Sequence, residues 1–339
     1  MALARLLTIG VVLILSRWPM SELVSADEPK PPGSTTVRAN PLLPALTKIE
    51  DFAPPEEFVQ AGGVKTHFVR KGEKGRTIVF IHGFGSSTHT WNRNLGPLSE
   101  SYRVYAIDVK GFGLTAKPKD GQYHPAAWTQ HLIDTLDALK IERPILVGNS
   151  MGGAIIARVA LLRPERVAGI VLVDAAPPNW GPPRALGKSP ETSAVMKPSG
   201  LPSLGDRFKT ALVRSMISRS AIESGLKGAF HNPSLVTPEM IEASYIPLTI
   251  EGAAEALIAM TNPPKEVGPP LPSLKELKPP ALIVWGRFDR VLPVRLIEDF
   301  ARDLPKAKKV IFENSGHLPH EEESKAFNKL VAEFAASVP

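Results

Sequence analysis

Gly148-Asn149-Ser150-Met151-Gly152 carries the strongest chemical signal in this chain. It follows the apolar run Ile145-Leu146-Val147 and precedes Ala154-Ile155-Ile156-Ala157, a good start for a helix. A serine on a sharp strand-to-helix turn has a strained backbone, and side chains two residues to either side would collide. Glycine at both flanking positions removes the collision. The new helix points its N-terminal N–H groups and its dipole at the serine, where negative charge would develop. The chemistry implied is attack on a carbonyl by Ser150. Such a pentapeptide is more often a plain glycine-rich turn; the strand before it and the helix after it separate the two cases here.

Acyl transfer needs two fixed donors aimed at the oxyanion. Ile78-Val79-Phe80-Ile81 runs straight into His82-Gly83-Phe84-Gly85, so the N–H of Phe84 is one candidate. The N–H of Met151, directly after the nucleophile, is the other. The bland alternative is a strand-ending turn with His82 hydrogen-bonded inside it.

Ser150 also needs a base, and the base needs a carboxylate to fix its tautomer. Among eight histidines, His317 stands in the polar turn Asn314-Ser315-Gly316-His317, past the run Lys309–Phe312. His320 is its rival, whereas His67 falls in a strand, His131 on a helix, and His89, His124 and His231 in earlier loops. Asp289 ends Trp285-Gly286-Arg287-Phe288-Asp289, again just past an inner strand, and completes the order Ser, Asp, His. Asp174, closing Ile170–Val173, is the rival acid; capping the strand end is its plainer role.

These positions require a parallel sheet. Strands are expected at Lys65–Arg70, Thr77–Ile81, Arg103–Ile107, Ile145–Val147, Ile170–Val173, Ala281–Trp285 and Lys309–Phe312. Runs such as Ile170-Val171-Leu172-Val173 suit strands covered on both faces. Trp128, Leu132, Leu136 and Leu139 form a helical core stripe between two of them. The alternation stops after Asp174, and helix-like pieces at Asp206–Ser220 and Pro238–Tyr245 suggest a helical cap over residues 177–272. The core is expected over 57–176 and 273–339, with the cap above the carboxyl edge of the sheet, where open sheets place their sites.

The chain has no cysteine, which excludes disulfides, thiolate metal sites and a cysteine nucleophile. Its formal charge of +6 is scattered rather than clustered with aromatics, so nucleic-acid binding is not expected. Arg5, an apolar run from Leu6 to Leu15, and Val24-Ser25-Ala26 read as a secretory signal over residues 1–26. An uncleaved membrane anchor is the alternative. Residues 27–56, rich in proline, read as a linker, and the mature protein is expected outside the cytoplasm.

The motifs together resemble the α/β-hydrolase superfamily, in its capped branch of epoxide hydrolases, haloalkane dehalogenases, carbon–carbon bond hydrolases, haloperoxidases and small esterases. The resemblance rests on His82–Gly85, Asp108-Val109-Lys110-Gly111-Phe112-Gly113, Gly148–Gly152, Gly286–Asp289 with Pro293, and Gly316-His317 with Pro319-His320. It implies a triad of Ser150, Asp289 and His317, with Phe84 and Met151 lending backbone N–H groups to the oxyanion. Epoxide hydrolases and dehalogenases carry Asp as nucleophile, so Ser150 argues against both reactions. Thr115 departs from the family, which often has Ser there.

The expected activity is hydrolysis of a small or medium, rather apolar carboxylic ester without cofactor or metal. Phe208, Leu212, Met216, Phe230, Tyr245, Leu248, Leu257 and Met260 are available to line the cap. The alternatives are a carbon–carbon bond hydrolase of vinylogous diketones, whose family shows Gly-Asn-Ser-Met-Gly-Gly, and a hydrolase-fold ligand-binding protein with little turnover. An adhesion protein of this fold usually loses the serine or histidine, and both stand here.

Overall fold

A computed structural model of the chain describes residues 56–180, 204–261 and 270–339, with side chains in the second stretch from Thr210 onward. The signal and nearly all of the linker lie outside these residues, as do residues 181–203 and 262–269 of the expected cap and the side chain of Phe208.

Eight strands form one sheet: β1 (Glu57–Ala61), β2 (Val64–Lys71), β3 (Thr77–Ile81), β4 (Arg103–Ile107), β5 (Ile145–Asn149), β6 (Gly169–Val173), β7 (Ala281–Gly286) and β8 (Lys308–Phe312). Their spatial order is β1-β2-β4-β3-β5-β6-β7-β8. From β4 across to β8 all pairing is parallel; only β2, between β1 and β4, runs the other way. The architecture is that of an α/β-hydrolase, a mostly parallel sheet flanked by helices, as the sequence leads one to expect. Strand β1 is absent from the strands read in the sequence. Its partly buried residues lack a clean alternation, although Gly62-Gly63, both at positive φ, supplies the hairpin turn that joins it to β2.

Alternate residues of each inner strand serve opposite faces, which explains the unbroken apolar runs. Val79, Ile81, Leu146, Ile170, Leu172, Ile283 and Trp285 pack toward α2 (Pro125–Ala138) and α3 (Met151–Leu162). Their neighbours Ile78, Phe80, Ile145, Val147, Val171, Val173, Leu282 and Val284 pack on the other side. There they meet Leu95 and Leu98 of α1 (Asn92–Ser99) and Phe327 and Val331 of the C-terminal helix Ser324–Ser337. The stripe Trp128, Leu132 and Leu136 is buried, with Leu139 packed at its edge.

Between β6 and β7 the described chain forms four helices: α4 (Leu204–Met216), α5 (Arg219–Ala229), α6 (Pro238–Thr249) and α7 (Ala253–Thr261). The stretch expected as one helix, Asp206–Ser220, is broken because Ser218 caps α5 by accepting from the Ala221 N–H. Helix α6 runs past its expected end and contains Pro247. Helices α5 and α7 went unread. Both are short, and α5 carries Gly225 and Gly228, poor helix formers.

Asp108, fully buried after β4, ties three segments together. Its carboxylate accepts from His67 Nδ1 (2.7 Å), the Thr88 N–H (2.6 Å) and the Leu114 N–H (2.8 Å). Thr115 has a clear role here: its hydroxyl donates to the Asp108 carbonyl and accepts from the His67 N–H. Burial would lift the Asp108 pKa, but the hydrogen bond and charge of His67 hold it below the usual carboxylate value. Burial likewise pulls His67 down, and Asp108 with Glu56 raises it overall. A histidine with a raised folded pKa contributes stability in full below its unfolded pKa and loses it as pH rises through the folded value. Asp108→Ala is therefore expected to cost about 3–5 kcal/mol in urea unfolding at pH 6. The gap from wild type should narrow at high pH, and an unchanged midpoint at pH 6 would contradict the hub role.

Candidate active site

Ser150 sits at φ 54° and ψ −118°, between β5 and α3. The turn is held by backbone bonds, from the Ser150 N–H to Val173 O and from the Ala176 N–H to Ser150 O, both 3.0 Å. A side chain on Gly148 would overlap the Gly152 carbonyl and crowd the Gly153 nitrogen, and one on Gly152 would strike the carbonyls of Ile81 and His82. The two glycines thus do different work. Gly148 lets the turn close on itself, and Gly152 lets it press against the end of β3.

His317 and Asp289 meet from the ends of β8 and β7. His317 Nδ1 lies 2.7 Å from Asp289 Oδ2, and Asp289 Oδ1 accepts from the Val291 and Leu292 N–H groups. Held this way, Asp289 fixes His317 with Nδ1 protonated and Nε2 free to act as base. Ser150 and His317 line one cavity but make no direct hydrogen bond in this structure. Such nucleophile–base contacts are commonly long before substrate binds.

The rival acid is close by. Asp174, Asp289 and His317 place ligand atoms within 4.8 Å of one another, a grouping that resembles a metal site but contains the hydrogen-bonded acid–base pair. Asp174, at φ 43°, is fully buried; Oδ1 accepts from the Gly286 N–H, and Oδ2 has no other partner. Burial and the adjacent Asp289 charge push its pKa well up, which favours its protonated form beside Asp289. Burial would raise Asp289 too, but the charge and hydrogen bond of His317, with the bond from Asp174, keep it below the ordinary value. Asp289 is the ionised partner.

His320, the rival base, is packed away from this pair. Its Nε2 meets Thr90 Oγ1 at 2.9 Å and its ring packs against Trp91 at a tilt, while burial and then the His317 charge lower its pKa to about 3. His82 spans two loops, with Nδ1 on the Gly83 carbonyl and Nε2 accepting from the Val109 N–H, so its role is structural. It holds the loop that carries Phe84. Phe84 lines the cavity with Ser150, and Met151 is the first residue of α3.

Two positioning residues were missed in the sequence. Asn149 Nδ2 donates to the carbonyls of Val173 and His317, coupling the serine turn to the histidine loop. Glu322 accepts from the N–H groups of Gly316, His231 and Asn232, tying that loop to the end of α5. Both contacts join residues far apart in the chain, and no local pattern announces them.

The cavity lining is mixed. Ile222, Leu226, Met240, Leu248 and Leu257, from α5, α6 and α7, supply apolar lining, so of the expected lining residues Leu248 and Leu257 reach it. Leu212, by contrast, is exposed, and Phe230 packs with Met240 and Leu318. Polar lining comes from Ser86, Ser87, His89, Thr90, Ser244 and Glu321.

A serine on a strand-to-helix turn, facing a histidine–aspartate pair on a parallel sheet, defines the serine-hydrolase type of site. A family model described as alpha/beta hydrolase fold matches residues 76–324, and the chain belongs to that family and is a hydrolase. A 2-hydroxymuconate semialdehyde hydrolase of Pseudomonas putida is 30% identical over 286 residues, covering 82% of this chain and 93% of the relative. A serine hydrolase involved in carbazole degradation superposes with a TM-score of 0.65 at 28% identity, over 83% of this chain and 98% of that one. A membrane phospholipase A, a bacterial virulence factor, gives 0.62 at 26% identity, over 84% and 87%. The first relative stands nearer to the carbon–carbon reading of the sequence than to the ester reading.

Asp289→Asn is expected to lower kcat on p-nitrophenyl butyrate by about 10³–10⁴-fold, the loss typical of a triad acid. Asp174→Asn, which keeps a neutral donor toward Asp289, should cost about tenfold or less. The reverse ranking would make Asp174 the acid.

Proposed function

We propose that this chain hydrolyses carboxylic esters with an apolar acyl group, through an acyl-enzyme on Ser150. The observation that carries the reading is the convergence of Ser150 and the His317–Asp289 pair on a cavity that the inserted helices line mostly with apolar side chains, Ser244 being the polar exception. Burying an apolar acyl group contributes roughly 25 cal/mol per Å² of apolar surface.

His317 Nε2 takes the Ser150 proton as Oγ attacks the ester carbonyl. The N–H groups of Phe84 and Met151 receive the oxyanion, each such donor being worth about 10²–10³ in rate. The intermediate collapses, and His317 returns the proton to the departing alkoxide. Water, deprotonated by the same His317, then attacks the acyl-enzyme and releases the acid and Ser150. The membrane phospholipase A among its structural neighbours supports the ester reading. A muconate-like substrate would instead bring its carboxylate into a cavity that already holds Glu321.

The second reading, hydrolysis of a carbon–carbon bond in a vinylogous diketone, is favoured by the 2-hydroxymuconate semialdehyde hydrolase relative and by Gly148-Asn149-Ser150-Met151-Gly152-Gly153. We further read residues 1–26 as an export signal, which fits an enzyme meeting esters outside the cytoplasm. N-terminal sequencing of exported protein should then begin at Asp27, and an intact Met1 would favour an anchor.

A fluorophosphonate should label Ser150, and Ser150→Ala should lose about 10⁴-fold or more of p-nitrophenyl butyrate turnover. Equal rates in wild type and variant would end the enzyme assignment of this site. A panel of alkyl esters and vinylogous diketones decides between the readings: faster turnover of the diketones would replace the ester proposal.

A further inference from the structure

Glu321 is an ionisable side chain in a cavity that its triad does not require. It is 6% exposed, and its carboxyl lines the same cavity as Ser150. Oε1 accepts from the Thr90 hydroxyl at 2.5 Å. That hydroxyl is 2.9 Å from His320 Nε2. With Thr90 donating to Glu321, it accepts at this second contact from the His320 tautomer that carries its hydrogen on Nε2. His320 Nδ1 has no partner. Thr90 thus holds the carboxyl through Oε1 without using Oε2. Among the described residues, nothing bonds to Oε2.

Oε2 is not one of the wholly buried unpartnered atoms, so it is accessible to a ligand or water that can pair with it. Burial pushes Glu321 up to about 7, so near neutrality it can donate as well as accept. Ser86, Ser87 and Thr90 line the same cavity, which also has apolar lining from Ile222, Leu226, Leu248 and Leu257. An ester that uses both kinds of lining is amphiphilic. Its acyl chain suits the apolar residues, which leaves the polar ones for its alcohol.

We propose that Glu321, backed by Thr90 and Ser87, binds the hydroxyl groups of a polyol leaving group, so that the preferred substrate is an aliphatic ester of glycerol or a similar polyol. This rests on the ester reading of Ser150. The hydroxyls next to the scissile bond donate to the free carboxyl oxygen, and a simple alkanol leaves that oxygen unpaired.

The test compares 1-octanoylglycerol with propyl octanoate, which share the acyl chain and a three-carbon alcohol and differ in two hydroxyls. Initial rates are followed by acid release in a pH-stat, with both esters below their micellar concentrations. Wild type should favour the glycerol ester by about tenfold or more in kcat/KM, the effect of a hydrogen bond to a buried ionisable group. Glu321→Leu should bring the ratio near one, mainly through KM for the glycerol ester, whereas Glu321→Gln should retain much of the preference. A wild-type ratio near one, or a ratio that survives Glu321→Leu, overturns the proposal while leaving the hydrolase reading intact. Should neither variant fold, the wild-type ratio alone decides. Failure of wild type to hydrolyse either ester overturns the ester reading and this inference with it.

Discussion

At φ 54° and ψ −118° a serine occupies backbone space that L-residues rarely visit, at a cost of order 1–3 kcal/mol. The conformation persists because its surroundings leave no other. Bonds from Ser150 to β6 and from Ala176 back to Ser150 clamp the peptide on both sides. The bare backbones of Gly148 and Gly152 let the turn approach itself and the end of β3. What is gained is geometric. The side chain stands clear of the sheet at the start of α3, beside the loop that carries Phe84.

Around that turn, electrostatics sort two carboxyl groups that chemistry alone would treat alike. Two acids this close cannot both ionise in a buried setting, so a single charge must be assigned. Asp289 faces His317 and two backbone N–H groups, which favour the anion; Asp174 is wholly buried beside the Asp289 charge, which favours the acid against the pull of its single N–H bond. Asp174 is thereby an acid that steadies the anion beside it. The same logic disposes of the second histidine: His320, enclosed by Trp91, Phe327 and Thr90, has no environment in which a positive charge is tolerable.

The fold defines the class of enzyme, and the cavity decides its substrate. The sheet and its loops are shared with hydrolases whose names point to quite different compounds. In this chain the apolar cavity residues come mainly from the helices inserted between β6 and β7, and several polar ones from the turn after β3 and the short helix after His317. Those two sources are joined where Glu322 and the Ala229 carbonyl bind the histidine loop, so the cap-side helices and the catalytic edge share one scaffold.

Read alone, the amino-acid order determined whatever depends on near neighbours: the paired glycines around Ser150, the inner strands with their unbroken apolar runs, the helix stripe at Trp128, Leu132 and Leu136. It also nominated His317 and Asp289, since each stands just past an apolar run and strand ends in a parallel sheet share one edge. It did not reveal β1, whose residues are only half covered, or the short helices α5 and α7. Nor did it distinguish by residue type the acid that favours ionisation from the one that favours its proton, or show that Asn149 and Glu321 line the site and Glu322 braces its histidine loop. Those outcomes belong to the tertiary structure. A carboxyl group's charge and partners are set by which strand ends lie side by side and by how much water is shut out between them, and neither is encoded within a few residues of the group itself.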